Sequence, residues 1–440
     1  MALMAKARYS SSSFSDEKAA LSVLKVWRAQ GFLHARMRLD QQLLQGHQGL
    51  LLEELSARLN SEPGPRLLVD GLWFSRPFGG GIARVWQQVL KCWLLPGLLT
   101  EFAPVALIER DSQLALTDAF TALEGIHVDP LDSAAVRTLA AENTSLARNW
   151  GADVFCSSWI STCGIETSTC SELALVHDCL PERFSSRQKE LLLVRRRWWQ
   201  GAAAHLAVSR ATAADLERML KVPKGSVSWC HMAPDAVFST TVANAEAQGL
   251  WTRLAKQVGM QMPFVLLPAT SAIGSYKNPQ LVAEALAAPA LRPLQLVLCG
   301  IAAEQRCQEL EERFPHLAGR LVSAGFSDFE LVLVYSHALA VVIPSLIEGF
   351  GLPVVEALAA GGTVLAADSR GLQEAGGEAA LRFDPQRPEE LACLLEMLMN
   401  ASSEDILQLT LSRRRQQRLD RLNPDLFGLA LLAMAREMCR

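Results

Sequence analysis

The sequence has no apolar stretch near the roughly 18 residues that a membrane-spanning helix needs. None of its ten cysteines forms a Cys-x-x-Cys pair, the spacing with which zinc sites and redox motifs begin, so we expect reduced and mostly buried thiols. The formal net charge of only −4 gives no general attraction to nucleic acid or to anionic lipid. Because the first residues show no signal-peptide pattern, we expect a cytoplasmic protein that binds no nucleic acid.

The sequence has the composition of an ordinary globular protein, since 50% of the 440 residues are apolar and 20% are charged. Residues 16–60 carry apolar side chains at helical spacing and no proline, which predicts helices. A Pro- and Gly-containing break at residues 61–65 ends this pattern. We therefore predict an N-terminal helical extension over residues 1–61 that packs on the rest of the protein.

Two series of short apolar runs alternate with helical patterns after this extension. The runs of the first series are at residues 66–70, 104–108, 152–155, 173–176 and 205–208. Those of the second are at residues 263–268, 294–300, 321–325, 338–343 and 363–367. Such alternation predicts parallel sheets covered by helices on both faces. We predict an α/β fold with two Rossmann-like domains, at residues 62–240 and 241–440, that face a central cleft, with a last helix that could cross back to the first domain.

The most informative segment is Glu348-Gly-Phe-Gly351-Leu-Pro353-Val-Val-Glu356. A predicted strand ends just before it, and Pro353 suits the first turn of a helix. The helix dipole and the backbone N–H groups at such a helix start favour a diphosphate. The N–H groups that we expect to point out of this helix are those of Phe350, Gly351 and Leu352. Glu348 can accept hydrogen bonds from sugar hydroxyls, and Glu356 is suited to a ribose diol.

The spacing of the two glutamates, eight positions apart, resembles the Glu-x7-Glu signature of the family 4 retaining glycosyltransferases. A glycine turn before a helix is by itself common in α/β proteins, but the resemblance extends over about residues 67–427. It includes the segments at residues 328–344, 366–374 and 383–385. The resemblance implies the two-domain GT-B fold.

A glycine-rich segment of the first half, Gly79-Gly80-Gly81-Ile-Ala-Arg84, follows the predicted strand at residues 66–70. It is similar to the Gly-Gly-x-x-Arg loop of the same family, whose backbone approaches the donor phosphate because glycine has no Cβ. On its own the segment could also be a simple loop before a helix. The resemblance makes Gly80, Gly81 and Arg84 candidate donor-binding residues.

His177 follows the predicted strand at residues 173–176, so it lies at the carboxyl end of a parallel strand, where α/β proteins bind ligands. The segment His177-Asp-Cys-Leu-Pro181 resembles the His-Asp-x-Ile-Pro element of mannosyltransferase-like members of the family, in which the histidine contacts the donor sugar. A histidine bonded only within its loop is the alternative. We take His177 and Glu348 as the candidate catalytic residues.

Lys277 follows the first predicted strand of the second domain, where a lysine can act as a point charge on the donor diphosphate. Many relatives carry an arginine six positions earlier, where this sequence has Ser271. This departure removes one cation that would bind the phosphate, and the sugar and nucleotide of the donor are therefore not specified. We therefore expect Lys277 to be the main cation of the site.

The resemblance implies transfer of a hexose from a nucleoside diphosphate sugar to an acceptor hydroxyl, with the donor's anomeric configuration kept. GDP-mannose is the first candidate donor and a UDP-sugar the second, and the acceptor is an unknown saccharide or lipid-linked molecule in polysaccharide or glycoconjugate synthesis. No metal or other cofactor is expected, since the sequence shows no clear Asp-x-Asp pair and no histidine cluster. The alternatives are another GT-B activity, such as a nucleotide-sugar epimerase or a sugar phosphorylase, and an inactive interaction scaffold.

The segment 191–199 puts three arginines beside two tryptophans, which could rest on an anionic membrane or a lipid-linked acceptor. A helix with a solvated basic face and tryptophans in the core is the favoured interpretation. Peripheral contact with the inner face of the membrane stays open.

Overall fold

The computed structural model describes residues 14–30, 32–47, 49–59, 64–76, 80–94, 104–114, 118–164, 170–184, 189–239, 245–268, 271–401 and 406–439. The chain divides into two compact units. The first contains residues 1–232 together with Asn423–Arg440, and the second contains Ala233–Leu422. The division therefore falls at residue 232/233 rather than at residue 240/241, and the end of the chain belongs to the first unit.

The described part of the first unit contains a parallel sheet of seven strands. The strands are β1 (Leu67–Asp70), β2 (Val105–Glu109), β3 (Thr121–Glu124), β4 (Val154–Ser157), β5 (Ser171–Val176), β6 (Ala204–Ala207) and β7 (Ser228–Trp229). Their spatial order is β3-β2-β1-β4-β5-β6-β7, in which the direction of winding reverses between β1 and β4. This is the Rossmann strand order with one added strand.

Helices cover this sheet and form the N-terminal extension. The extension consists of α1 (Phe14–Gln30), α2 (Phe32–Leu44) and α3 (Leu50–Leu59). The other α-helices of the unit are α4 (Gly80–Trp93), α5 (Ser133–Thr138), α6 (Ala140–Trp150), α7 (Leu180–Phe184), α8 (Lys189–Gly201), α9 (Arg210–Leu220) and, from the end of the chain, α18 (Pro424–Met438), with a 3-10 helix at Leu72–Ser75.

The last helix is part of the first unit's core. Helix α18 packs against α3 and α4, and the indole Nε1 of Trp93 in α4 donates a hydrogen bond to the carbonyl of Gly428 at 3.0 Å. Apolar side chains of α18 such as Phe427 and Leu429 are fully buried. The extension thus packs on the chain's own last helix, which completes a hydrophobic layer over α4.

Six parallel strands form the sheet of the second unit, as far as the structure describes it. They are β8 (Phe264–Leu267), β9 (Gln295–Cys299), β10 (Leu321–Ala324), β11 (Ala340–Ile343), β12 (Val364–Ala367) and β13 (Leu381–Phe383). Their order is β10-β9-β8-β11-β12-β13, again with a reversal at the centre, here between β8 and β11. All residues of β8, β9, β11 and β12 are buried, as expected for strands covered on both faces.

The α-helices of the second unit are α10 (Ala245–Val258), α11 (Pro279–Ala285), α12 (Ala303–Arg313), α13 (Asp328–His337), α14 (Leu352–Ala359), α15 (Arg370–Gly376), α16 (Pro388–Asn400) and α17 (Ile406–Leu419). Short 3-10 helices lie at Ala236–Ser239, Pro289–Leu291 and Pro315–Leu317. The two parallel sheets with a helical N-terminal region confirm the predicted fold class.

Two strands of the first sheet were missed by the sequence patterns. Strand β3 carries mostly exposed residues at the sheet edge, so it lacks the apolar run that marks a buried strand. Strand β7 has only two residues and forms the opposite edge.

Candidate active site

The second sheet presents a small pocket at its carboxyl edge, where β8 and β11 lie side by side. The chain winds away from this point in both directions, so the loops after β8 and β11 diverge and leave a crevice. The loops bring polar and apolar groups together there, among them Leu267, Lys277, Ile343, Ser345, Glu348 and Pro353. Sequence positions some 70 residues apart thus meet in one pocket because their strands are neighbours.

Lys277 and Glu348 form an ion pair in this pocket. The Lys277 Nζ donates to the Glu348 Oε1 at 2.6 Å, and the two side chains are 22% and 13% exposed. The Lys277 Nζ also lies 5.3 Å from the centroid of the Tyr276 ring. The predicted phosphate cation and the predicted sugar ligand are therefore adjacent, and each moderates the charge that the other presents to a ligand.

Helix α14 begins at the same pocket, and Gly351 caps it. Gly351 has a φ of 112°, and a Cβ at this position would lie 2.7 Å from Cδ2 of Leu372. Pro353 occupies the first turn, where its missing N–H removes no helical hydrogen bond. The first residues of α14 have no preceding helical carbonyls to bind, so the N–H groups of Gly351 and Leu352 and the positive end of the dipole make this an anion-favouring end.

Close packing fixes the turn that carries Glu348. A Cβ on Gly371, in the first turn of α15, would lie 2.3 Å from the Glu348 carbonyl oxygen, so only glycine lets α15 approach this turn. Phe350 is buried beneath the turn, at 4% exposure. Its side chain anchors the segment.

Glu356 lies on the inner side of α14. It is only 5% exposed, and the Tyr335 hydroxyl is 3.4 Å from its Oε2, a long hydrogen bond. Tyr335 itself is buried on α13. The role of Glu356 toward a ribose diol stays a prediction, and it requires a ligand to reach a carboxylate that is nearly covered in this structure.

In the first unit, the glycine segment forms the start of a helix rather than a separate loop. Gly80 and Gly81 are exposed first residues of α4, and nothing lies within 4 Å of a Cβ built on Gly80. Arg84 is half-buried one turn later. Gly79 falls outside the described residues. At this exposed helix start the backbone N–H groups of Gly80 and Gly81 can donate hydrogen bonds to a ligand. That the ligand is the donor phosphate stays a prediction.

His177 directly follows β5, as the sequence patterns predicted. His177 as a residue is half-buried, and its Nε2 is buried and has no hydrogen-bond partner among the described residues. Burial, and secondly the charge of Arg195, lower the pKa of His177 to about 3. The imidazole is therefore neutral near pH 7 and can act as a hydrogen-bonding group but not as a cation.

Arg195 holds the loop that follows His177, a role that the sequence patterns did not reveal. Its Nε donates to Glu182 Oε1 at 2.7 Å, and its Nη2 donates to the Asp178 carbonyl at 2.7 Å. The guanidinium lies 4.9 Å from the Trp199 ring centroid, and Arg195 is 1% exposed. The predicted burial of the two tryptophans of α8 is confirmed, but Arg195 belongs to the core and not to a solvated basic face.

A second buried ion pair joins the carboxyl ends of β1 and β2. Arg110 donates through Nε to Asp70 Oδ1 at 2.6 Å and through Nη1 to Glu142 Oε2 at 2.8 Å. Burial alone would lower the pKa of Arg110, but the carboxylates of Asp70 and Glu142 more than offset this and raise it. The sequence patterns marked Asp70 only as a strand end, and its partner could not be found because it comes from another strand.

No group of three or more His, Cys, Asp or Glu side chains that could hold a metal occurs among the described residues. Within the same residues no helix is both long and apolar enough to cross a membrane.

Comparison with known proteins finds a family match within the second unit. Residues 256–415 match the family model described as glycosyl transferases group 1. The match covers Lys277, Glu348 and the start of α14, so the pocket lies within the group 1 segment.

Solved structures share the fold of both units. A glycosyltransferase from Rickettsia africae is 14% identical with a TM-score of 0.64, and the match covers 86% of this chain and 99% of that one. HepE of Anabaena, solved in complex with UDP-glucose, is 17% identical with a TM-score of 0.60, over 84% of this chain and 98% of that one. At these identities the likeness shows the GT-B fold.

A curated relative is the MMP alpha-(1->4)-mannosyltransferase of Mycolicibacterium hassiacum. It is 39% identical over 85 residues, which are 19% of this chain and 21% of that protein. The chain thus spans about a fifth of the length of the curated relatives it matches.

Proposed function

We propose that the protein transfers a hexose from a nucleoside diphosphate sugar to an acceptor hydroxyl with retention of the anomeric configuration. The observation that carries the proposal is the Lys277–Glu348 pair, 2.6 Å apart beside the start of α14 within the group 1 segment. A cation and a helix N-terminus suit a diphosphate, and a neighbouring carboxylate suits sugar hydroxyls.

In the proposed reaction, negative charge develops on the departing diphosphate. The Lys277 ammonium and the N–H groups at the start of α14 stabilise this charge more strongly in the transition state than in the bound donor. Glu348 accepts hydrogen bonds from the sugar and favours the electron-poor anomeric carbon. No general base is assigned, because the leaving phosphate can accept the acceptor's proton. We propose that no metal is required.

The proposed roles of the first unit's residues follow from the family resemblance. Gly80, Gly81 and Arg84 bind the donor phosphate, and His177 contacts the donor sugar. A neutral His177 fits this role, because a hydrogen bond to a sugar hydroxyl needs no charge.

Mannose is the first candidate for the transferred sugar, and GDP-mannose for the donor. The His177-Asp-Cys-Leu-Pro181 segment and the 39% identical stretch of a mannosyltransferase support this choice. A UDP-sugar is the second candidate, supported by the fold shared with HepE, which was solved with UDP-glucose. The acceptor is a saccharide or lipid-linked molecule in polysaccharide or glycoconjugate synthesis.

The test is a donor panel of radiolabelled GDP- and UDP-sugars with the purified full-length chain, scored for transfer and for hydrolysis. We expect label to leave one donor class, and Glu348→Ala to abolish this transfer without weakening nucleotide binding. Conversion of a donor to its epimer without transfer would instead establish an epimerase. Absence of any nucleoside diphosphate binding in calorimetry would contradict the transferase and favour the inactive interaction scaffold.

We further propose a cytoplasmic enzyme with peripheral membrane contact through α8. Leu193 is 52% exposed, and the exposed Arg196 and Arg197 lie three and four residues later on the same helix face. Flotation with anionic and with zwitterionic vesicles tests this, and we expect binding to anionic vesicles that Arg196→Glu/Arg197→Glu removes. The contact would be contradicted if equal amounts of protein floated with anionic and with zwitterionic vesicles, or if the double variant floated with anionic vesicles as well as the wild type does.

A further inference from the structure

Asn278 has a backbone conformation that few residues adopt easily. It caps the start of α11 with φ 53° and ψ 45°, in the left-handed region, and is 5% exposed. Asparagine and glycine tolerate this conformation best. The turn reverses the chain directly after Lys277 and thereby determines where the lysine side chain leaves the loop.

The side-chain amide of Asn278 connects the loops that follow three different strands. Its Nδ2 donates to the Pro344 carbonyl, just after β11, at 3.3 Å and to the Pro385 carbonyl, after β13, at 2.9 Å. Its Oδ1 accepts a hydrogen bond from Gln280 Nε2 at 2.7 Å, which fixes the orientation of the amide. Every polar atom of this buried side chain is therefore bonded, and the amide ties the loop of β8 to those of β11 and β13.

A backbone contact continues the same connection on the other side of Lys277. The Leu346 N–H donates to the Tyr276 carbonyl at 2.8 Å. Lys277 is thus held between two cross-links to the segment that leads to Glu348. The 2.6 Å contact between the Lys277 Nζ and Glu348 is the third contact in this series.

We infer that Asn278 is a positioning residue of the proposed donor site. It keeps the Lys277 ammonium next to Glu348 and the start of α14. The inference rests on the proposed function. Asn278 touches no ligand in this role. It acts through Lys277, because a shift of the loop by about 1 Å would move the ammonium out of the short range over which a charge-assisted hydrogen bond is strong.

The test compares Asn278→Gly with a matched buried amide far from the pocket. Glycine keeps the left-handed turn and deletes the amide. The control is Gln295→Ala in the same unit, since Gln295 also links loops, accepting from the Gln261 N–H at 2.8 Å and donating to the Gly259 carbonyl at 3.2 Å, at the opposite end of the sheet. We expect comparable falls in Tm, but an increase of about tenfold or more in the Kd for GDP or UDP only in Asn278→Gly.

A double-mutant cycle with Lys277→Met separates positioning from simple destabilisation. If Asn278 acts through Lys277, the roughly tenfold effect of Asn278→Gly on Kd shrinks to about twofold or less in the Lys277→Met background. Should Asn278→Gly fail to fold, Asn278→Asp tests the same point, because it keeps the turn and replaces the amide donor with an acceptor. Either variant is measured by calorimetry and in the donor assay.

The possible outcomes are distinguishable. Wild-type protein that binds neither GDP nor UDP would overturn the proposed function and this inference with it. Binding that Asn278→Gly or Asn278→Asp retains at wild-type strength would overturn the inference alone. An equal loss in the Lys277→Met background, or an equal loss in Gln295→Ala, would also overturn it, since the effect would then be one of general stability.

Discussion

Two substitutions in the Lys277–Glu348 pair are expected to change nucleotide affinity in opposite directions. The ion pair neutralises part of the lysine charge in the absence of ligand, since the two atoms are 2.6 Å apart. Lys277→Met removes the cation from the phosphate site and should weaken binding of GDP or UDP. Glu348→Gln keeps the size and a hydrogen-bond acceptor but removes a negative charge beside the phosphates, so it should strengthen the same binding.

The size of the second effect follows from the geometry. A phosphate oxygen that accepts a hydrogen bond from the Lys277 Nζ at about 2.8 Å would lie within about 5 Å of the Glu348 carboxylate. At an effective dielectric of about 40–60, between the values for a protein surface and for bulk water, one repulsion at this distance is worth about 1–2 kcal/mol. This corresponds to a roughly 5- to 30-fold decrease in Kd for Glu348→Gln. Turnover of the same variant should fall, because the carboxylate no longer supports the electron-poor sugar.

Isothermal titration calorimetry with GDP and UDP, at about 50 mM and about 200 mM salt, measures both effects. The difference between the variants should be larger at the lower salt, because added salt screens charges in a partly exposed pocket. Lys277→Arg is the matched control, since it keeps the charge and changes only its shape. Weaker nucleotide binding in Glu348→Gln would refute the reasoning, because Glu348 would then be a nucleotide ligand rather than a competitor for the lysine.

Three further changes test other parts of the structure. Gly351→Ala should lower the free energy of unfolding by about 2–4 kcal/mol in urea titration, because alanine is strained at φ 112° and its Cβ meets Leu372; a loss below about 1 kcal/mol would contradict the tight start of α14. Burial raises the pKa of Glu172 to about 7, so between about pH 4.5 and about pH 7 the folded protein keeps a proton that the unfolded chain has lost. The free energy of unfolding should therefore fall as the pH rises through this range, by at most about 3 kcal/mol from this group. Glu172→Gln should flatten this decline when unfolding is measured at several pH values, and an unchanged slope would show that other groups cause it. Arg195→Met leaves the half-buried carboxylates of Asp178 and Glu182 without their cation and should cost about 2–3 kcal/mol of stability. It should also raise the pKa of His177 in NMR titration, and an unmoved pKa would leave burial as the sole cause of its depression.

Much of the fold could be predicted from the order of apolar runs. Strands buried on both faces, such as β8 and β11, are continuous apolar segments, and their alternation with helical patterns leaves a parallel doubly wound sheet as the simplest arrangement. The edge strands β3 and β7 could not be found in this way, because an exposed or two-residue strand carries no apolar run. The return of the last helix to the first domain was predicted, but its contact with α4 was not, since apolar residues do not specify which surface covers them.

The sequence by itself determined which residue types are available for the proposed chemistry. The Glu348–Glu356 spacing, the glycine cap at Gly351 and the placement of Lys277 after a strand are local patterns, and local patterns persist in the linear chain. These features sufficed to predict the helix start at Gly351, its proposed diphosphate site, and the resemblance to glycosyltransferases that the family match at residues 256–415 supports.

Only the tertiary structure decided which of these groups meet. The contacts of Lys277 with Glu348 and of Asn278 with Pro385 join positions 71 and 107 residues apart, through neighbouring loops whose relative placement depends on strand order. The burial of Glu356 against Tyr335 and of Arg195 between tryptophans likewise depends on helix packing. Charge and hydrogen-bonding capacity belong to a residue, but distance and burial belong to the fold, and these decide how strongly each charge acts.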